Sequence, residues 1–539
     1  MASKIAARIV EAAKAHTRRV DKYIGYGTAG FRTKADLLDH VMFRVGVVSA
    51  LRSKMVKASI GVMITASHNP EEDNGVKLVD PLGEMLEPAW EVLATEIANL
   101  PDDKLSESIV SLIEKSNIDL STRSSVIVGR DTRQSSPALC QAVIDGIKAV
   151  EEDSEIADFG IISTPILHYL VVCTNDGGKY GDPTVDGYVA KLSRAFRTLI
   201  GEDNKRGNYE PTLIIDGANG VGAVISEKLI KALDKTLAVN LVNVGPPGIL
   251  NHDCGADYVK VQQREPLNVS SDCGARCASL DGDADRLIYL YFDEAGMFHM
   301  LDGDKIALLF AEHFNDLLKK SQLNLKLGMV QTAYANGSST NYATKVLNVP
   351  VTCTPTGVKF LHHAAQEFDI GVYFEANGHG TTLFSENAVK TIKDAASSGG
   401  NAAAQELAGF LNVINSTVGD AISDLLGVEA ILHSKGWSIK EWDTMYQDLP
   451  NRLLKVSVAD RNLVTTTDAE RRVVTPEGLQ ERMDIIVAKF KDGRSFVRPS
   501  GTEDVVRVYA EADTQEHADE LGKEVAAAVS ELCSGNCKL

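Results

Sequence analysis

No apolar run in this 539-residue sequence approaches the roughly 18 residues of a membrane-crossing helix, so a membrane partner is not expected. The eight cysteines lack a metal-site pattern. Cys273 and Cys277, like Cys533 and Cys537, are not spaced as C-x-x-C, the two pairs lie far apart, and no paired histidines accompany them. Free thiols in a reducing cytosol fit better, and the expected compartment is cytoplasmic. Positive charge is also short: 55 Lys and Arg against 74 Asp and Glu leave a net charge of −19. Such a chain repels nucleic acid and anionic lipid, and a phosphorylated substrate would need a local cluster of Arg and Lys. Nor is the composition that of a disordered chain, with 44% hydrophobic and 24% charged residues. The length allows three or four domains of ~150 residues. The opening M-A-S-K-I-A-A-R-I-V-E-A-A-K has the basic, amphipathic character of a presequence. Glu11 and the nearby glycine-rich stretch favour an ordinary opening helix instead.

Against these absences stands residues 64–77, I-T-A-S-H-N-P-E-E-D-N-G-V-K. A β-branched run enters it, and a Pro and an Asn-Gly pair break it, so it reads as a strand running into a loop. Ser67 sits at the strand's end. His68 could exchange protons near neutral pH, and Lys77 could hold phosphate oxygens. An ordinary surface turn uses the same residue types, so the rest of the chain has to decide. Upstream, Y-I-G-Y-G-T-A-G-F-R at residues 23–32 brings a close backbone together with Arg32. Its G-x-G-x-x-G match is not a dinucleotide loop, because it lacks a strand before it and an amphipathic helix after it.

A loose repeat organises the middle of the chain. Residues 125–150, 212–233 and 327–347 each read as a short strand, a Gly/Asn/Asp turn and a helix. Second strands with Pro-containing turns are expected at 161–165, 242–247 and 351–355. This alternation predicts three doubly wound, parallel α/β domains. Each owns a strand–loop–strand hairpin with unusual polar residues, at 65–70, 281–286 and 375–380, and three converging loops would build a central cleft. From about residue 451 the pattern changes to a smaller α+β domain, with strands at 453–458, 495–498 and 504–510 and helices at 476–489 and 515–532. The expected domains are 1–181, 182–297, 298–440 and 441–539.

Two further loops carry chemistry. In D-G-D-A-D-R, Asp281, Asp283 and Asp285 would share one face of an extended segment. Three like charges so close call for a cation, and oxygen-only ligands favour Mg²⁺, one per chain. An EF-hand is excluded, since its required Gly and Glu are here Arg286 and Phe292. R-P-S-G-T-E-D, from Arg498, supplies a guanidinium, hydroxyls and glycine-adjacent amides, the parts of a phosphate cradle.

The four loops G-T-A-G-F-R, T-A-S-H-N-P, D-G-D-A-D-R and R-P-S-G-T-E, in this order, resemble the α-D-phosphohexomutase superfamily. E-A-N-G-H-G at 375–380 and T-P-T-G-V-K at 354–359 are similar to its phosphoacetylglucosamine mutase branch. So is the position of G-R-D-T-R (129–133), which follows the serine loop here and precedes it in most of the superfamily.

The resemblance implies interconversion of N-acetylglucosamine 6-phosphate and 1-phosphate for UDP-N-acetylglucosamine synthesis, with small sugar phosphates as the partners. Ser67 would carry a phosphoryl group and, with Asp281, Asp283 and Asp285, bind Mg²⁺. Glucose or N-acetylglucosamine 1,6-bisphosphate would be activator and intermediate. Arg32, His68 and Lys77 would serve the transfer, the general base among them left open. Glu375 and Asn377 would grip sugar hydroxyls, Thr356, Gly357 and Gly378 would also bind substrate, and Arg498, Ser500, Gly501, Thr502 and Arg507 would anchor the idle phosphate. The chain is expected to be a monomer. A phosphoglucomutase or phosphomannomutase, or a non-catalytic sugar-phosphate binder, would share much of this pattern.

Overall fold

The computed structural model describes residues 1–28, 30–270, 275–500 and 504–533. The chain forms two compact units. One comprises Met1–Asp302, Asn377–Thr381 and Ala408–Ile439; the other comprises Gly303–Ala376, Thr382–Leu407 and Lys440–Leu539. The opening helix is present as Ala2–Ala13.

The first unit holds two sheets. Six strands lie in the order Tyr26–Gly27, Gly30–Lys34, Asp73–Val79, Ile60–Ile64, Ser125–Arg130, Glu155–Ile161. Ile60–Ile64 pairs in parallel with Ser125–Arg130, which pairs in parallel with Glu155–Ile161. On its other side Ile60–Ile64 turns back antiparallel onto Asp73–Val79. The sheet is therefore mixed, and its central hairpin carries the serine loop. Helix Asp39–Val56 is buried around its whole circumference, which explains the near absence of a polar stripe in its sequence. The second sheet runs Phe298–Leu301, Leu287–Phe292, Cys277–Leu280, Thr212–Asp216, Ala238–Val242. Its antiparallel hairpin Cys277–Leu280/Leu287–Phe292 carries the Asp loop.

In the second unit, Leu327–Thr332 pairs in parallel with Val351–Thr354 on one side and Ile370–Phe374 on the other, with Gly380–Phe384 beyond. The final α+β portion is an antiparallel sheet, Asn451–Ser457, Val505–Glu511, Arg494–Pro499, with helices Leu479–Val487 and Gln515–Cys533. A small hairpin, Thr465–Thr467 with Arg472–Thr475, was not anticipated.

Two second strands are displaced from the expected positions. The strand expected at 161–165 is Glu155–Ile161, and Pro165 lies in the first turn of helix Thr164–Asn175, where its missing N–H costs nothing. Similarly, the strand expected from 242 is Ala238–Val242 and ends there. Val351–Thr354 stands where expected.

Candidate active site

The serine loop leaves a strand that is buried along its whole length. Ser67 takes φ +53°, a left-handed conformation rare for a residue with a Cβ, and its N–H is held by Thr65 Oγ1 at 2.9 Å. Its hydroxyl donates to Asp281 Oδ2 at 2.7 Å. Two side chains grip the loop from behind. Arg133 Nη2 donates to the carbonyls of Ser67 (3.1 Å) and Asn69 (2.8 Å), and Asn251 Nδ2 donates to the same two at 2.9 and 3.0 Å. Arg133 is itself paired with Asp131. Thus G-R-D-T-R works here as a backbone clamp. Sequence reading missed Asn251, which no local motif marks.

Asp281, Asp283 and Asp285 converge as expected, with ligand oxygens all within 4.8 Å of one another and all three residues buried. The means differ from the expectation. The segment is a turn and not an extended strand: Ala284 is left-handed at φ +58°, and Asp281 Oδ1 accepts from the backbone N–H groups of Asp285 (3.0 Å) and Arg286 (3.1 Å). Gly282 lets this turn meet the serine loop, since a Cβ there would lie 2.5 Å from the Ser67 carbonyl oxygen.

Lys77 Nζ bridges Asp283 Oδ2 at 3.0 Å and Asp285 Oδ2 at 3.1 Å. Thr164 Oγ1 adds a 2.6 Å bond to Asp283 Oδ2, and His379 Nδ1 lies 3.3 Å from Asp285 Oδ1. Neither Thr164 nor His379 was singled out from sequence. Burial pushes Asp281 well above the usual carboxylate range, and the charges of Asp285 and Asp283 push it further. Burial also pushes on Asp283 and Asp285, but their neighbours win; Lys77 acts on both, Arg32 also on Asp283 and a contact with His379 on Asp285, and both carboxyls lie below the usual range. Lys77 responds in kind: burial would lower it, and Asp283 and Asp285 hold it above its ordinary value.

His68 departs from the expectation of a group titrating near neutrality. Burial, with Arg286 and Arg32 close by, drives it well below the ordinary imidazole range, so it is neutral at pH 7. Its Nδ1 lies 3.5 Å from Ser67 Oγ. Arg32 is lowered by burial against the pull of Asp283, and its Nε is buried without a hydrogen-bond partner among the described residues.

The residues fit a hard cation. All the donors are oxygens, and among the described residues Asp283 Oδ1 is buried with no hydrogen-bond partner, a cost a metal ion would remove.

In the second unit the expected phosphate anchor lies on one face of the antiparallel sheet. Arg498 stands opposite Arg507, and Arg507 stands opposite Lys455, so three cations form a row across three strands. Like charges directly opposite destabilise a sheet, and an anion relieves them. Val497, Val506 and Val508 on the other face pack into the core. Lys455 was not foreseen, because only strand register brings it into the row. Ser500 is buried and donates its N–H to Val505 O at 2.9 Å; Gly501 and Thr502 lie outside the described residues. Thr356 and Arg498 come together on one carboxylate, that of Glu470. Gly357, at φ +130°, precedes helix Val358–Ala365.

The sugar loop is divided. Glu375 follows strand Ile370–Phe374 in the second unit, whereas Asn377 and Gly378 belong to the first. Positive φ (+86°) falls on Gly378, and a Cβ there would lie 2.1 Å from Leu287 O. Asn377 instead accepts the His379 N–H on its side-chain oxygen at 3.0 Å.

The chain is similar to known proteins along nearly its whole length. Family models described as phosphoglucomutase/phosphomannomutase, alpha/beta/alpha domain I, and C-terminal domain match residues 34–102 and 102–179, and 453–528. Those for phosphoacetylglucosamine mutase AMG1, domains II and III, match 184–288 and 302–437. Phosphoacetylglucosamine mutase of Sus scrofa is 52% identical over 530 residues, 98% of this chain and 97% of that one. A crystal structure of N-acetylglucosamine-phosphate mutase, a member of the α-D-phosphohexomutase superfamily, in its substrate complex superposes with a TM-score of 0.94 at 49% identity, covering 97% and 99% of the two chains. Aspergillus fumigatus N-acetylphosphoglucosamine mutase with GlcNAc-6P and magnesium superposes at 0.93 with 48% identity, over 98% and 99%. A variant of that Aspergillus protein was crystallised with glucose 1,6-bisphosphate. With matches of this strength over nearly its whole length, the chain belongs to the phosphoacetylglucosamine mutase family of the α-D-phosphohexomutase superfamily.

Proposed function

We propose that this protein interconverts N-acetylglucosamine 6-phosphate and N-acetylglucosamine 1-phosphate, with Ser67 as the phosphoryl carrier and a sugar 1,6-bisphosphate as the bound intermediate. The observation that carries the reading is the Ser67 hydroxyl 2.7 Å from Asp281 at the edge of a buried, oxygen-only triad. In the first transfer the free sugar hydroxyl attacks the phosphorus on Ser67. The Oγ–P bond breaks, a new sugar O–P bond forms, the sugar hydroxyl gives up its proton, and the departing Ser67 Oγ takes one up to return to the hydroxyl. His68 is neutral and so has a nitrogen that can pass the sugar's proton on, although burial and the charges of Arg286 and Arg32 make it a weak base; Lys77, held protonated by Asp283 and Asp285, has no lone pair to offer. Arg32 and Lys77 bring positive charge to the oxygens in flight. After the sugar has turned over, its other phosphoryl group returns to Ser67 by the reverse step.

Asp281, Asp283, Asp285 and a Ser67 phosphoryl oxygen would hold Mg²⁺, which supplies Lewis-acid screening of phosphoryl charge when bound. Glu375 grips sugar hydroxyls. The side-chain oxygen of Asn377 accepts from the His379 N–H, which fixes the amide in place to contact the 2-acetamido group. Arg498, Ser500 and Arg507, together with Gly501 and Thr502, anchor the phosphate that is not reacting; the cationic row supports this for Arg498 and Arg507.

Intact-mass measurement tests the carrier. Wild-type protein mixed with glucose 1,6-bisphosphate should gain one phosphoryl group. Ser67→Ala should gain none and lose turnover while still binding sugar phosphate. Phosphoryl uptake by Ser67→Ala would assign the carrier to another residue.

A further inference from the structure

The phosphate seat of the second unit has an occupant made of protein. Glu470 Oε2 accepts from the Thr356 backbone N–H at 3.1 Å and from the Thr356 hydroxyl at 2.5 Å, while its Oε1 lies 3.3 Å from Arg498 Nε. A backbone amide, a hydroxyl and a guanidinium converging on one anion are the donor set of a phosphate site. The carboxylate sits there imperfectly. Among the described residues Arg498 Nε is buried without an aligned hydrogen bond, and the buried phenol of Tyr334 faces the same guanidinium and feels Arg507 as well.

The segment that delivers Glu470 is unusual. Asp468, Ala469 and Glu470 are consecutive left-handed residues at φ +52°, +53° and +67°, at the tip of the hairpin Thr465–Thr467/Arg472–Thr475. Residues with a Cβ rarely adopt this conformation even singly, so a run of three is held there by its surroundings. Arg471 holds the turn's base through the Asp468 carbonyl (3.0 Å) and carboxylate (2.6 Å).

We propose that Glu470 is a resident competitor for the substrate's anchoring phosphate: its carboxylate rests on Thr356 and Arg498 when no phosphate is bound and is displaced when one binds. This rests on the reading of Arg498 as part of the phosphate anchor. A carboxylate offers two oxygens and one charge, whereas a phosphate monoester offers three and nearly two charges, so the phosphate wins at a reduced net gain. A reduced gain suits this reaction, in which a bisphosphate has to let go of its anchor, turn over and bind again. Glu470 thereby trades affinity for release.

The opposing role is a buttress, in which Glu470 aims Arg498 at its ligand, and the two roles differ in sign. Calorimetric titration of inorganic phosphate into the full-length protein separates them. As a competitor, Glu470→Gln should tighten phosphate binding about tenfold, the factor for one charge-assisted contact no longer given up. Glu470→Ala, which removes the acceptor altogether, should move binding the same way. Steady-state kinetics of Glu470→Gln should show KM and kcat falling together, as release becomes slower. Weaker or unchanged phosphate binding in both variants would overturn the competitor role. An Arg498→Ala arm keeps the two readings apart. Lost binding there with no tightening in the Glu470 variants sinks only this inference, whereas unchanged binding in Arg498→Ala shows that the phosphate seat lies elsewhere and removes both.

Discussion

The acidic cluster of the first unit and the basic row of the second assemble like charges by opposite means. Asp281, Asp283 and Asp285 are drawn inward by a tight turn around a left-handed Ala284, and their side chains are almost wholly buried. Arg498, Arg507 and Lys455 are laid side by side by strand register on a face that stays partly open to water; the Arg498 side chain is 19% exposed. Burial couples the acidic groups strongly, so Asp281 rises while Asp283 and Asp285 fall. Water softens the repulsion among the basic ones. The difference matches the tasks we assign. Phosphoryl transfer requires charge fixed in advance where the reaction occurs, whereas an anchor has to bind and release within each turnover.

The largest effect should come from the buried side of this comparison. Asp283→Ala removes a triad oxygen together with the partner of Lys77 and Thr164, and should lower kcat by several powers of ten. Chelation of wild-type protein should do the same and be reversed by added Mg²⁺; activity indifferent to chelator would remove the metal from the scheme. Next comes Gly282→Ala, which touches no reacting group yet forces apart the Asp turn and the Ser67 carbonyl. It should cost about a hundredfold in kcat with KM nearly unchanged, the scale of an ångström-sized misplacement. Wild-type kcat in this variant would show that the close approach is incidental.

On the open side the losses should be smaller and should fall on affinity. Arg498→Ala should weaken the 6-phosphate and 1-phosphate isomers alike by about 2 kcal/mol, the range of a charge-assisted contact, and lysine should not restore it. A loss confined to one isomer would contradict a shared anchor. Smallest is Asn377→Asp. Asp keeps an acceptor for the His379 N–H but puts an anionic oxygen where the NH₂ donor was, so kcat/KM should fall for both sugar phosphates and distinctly further for N-acetylglucosamine phosphate. Equal losses on the two sugars would leave Asn377 as a turn residue alone.

The two regions also differ in how much of them could be read from the chain. D-G-D-A-D-R and R-P-S-G-T-E-D are short, and their chemistry lies in residue types at fixed spacing, so the triad and Arg498 were legible. What shapes them was not. Asn251 stands 184 positions from the serine whose carbonyl it holds, and Thr164 stands 119 from Asp283; no local pattern reports such contacts. Lys455 enters the basic row only through the pairing of Asn451–Ser457 with Val505–Glu511. The doubly wound α/β plan followed from alternating strands and helices, but the first of the second strands was misplaced because Pro165 read as a turn residue and in fact begins a helix. Carboxylates two residues apart suggested an extended strand, because alternation is the simplest way to align them. The chain reaches the same convergence by curling the backbone around Asp281.

The left-handed backbone at Ser67 decides which hydroxyl amino acid can stand there. Threonine presents the same nucleophilic oxygen, but its branched Cβ adds a methyl group next to the backbone just where φ +53° leaves least room. The two residues are near equivalents for many purposes, and here they are not interchangeable. The carrier's chemistry is thus limited to a primary alcohol by a torsion angle and not by the reactivity of the oxygen.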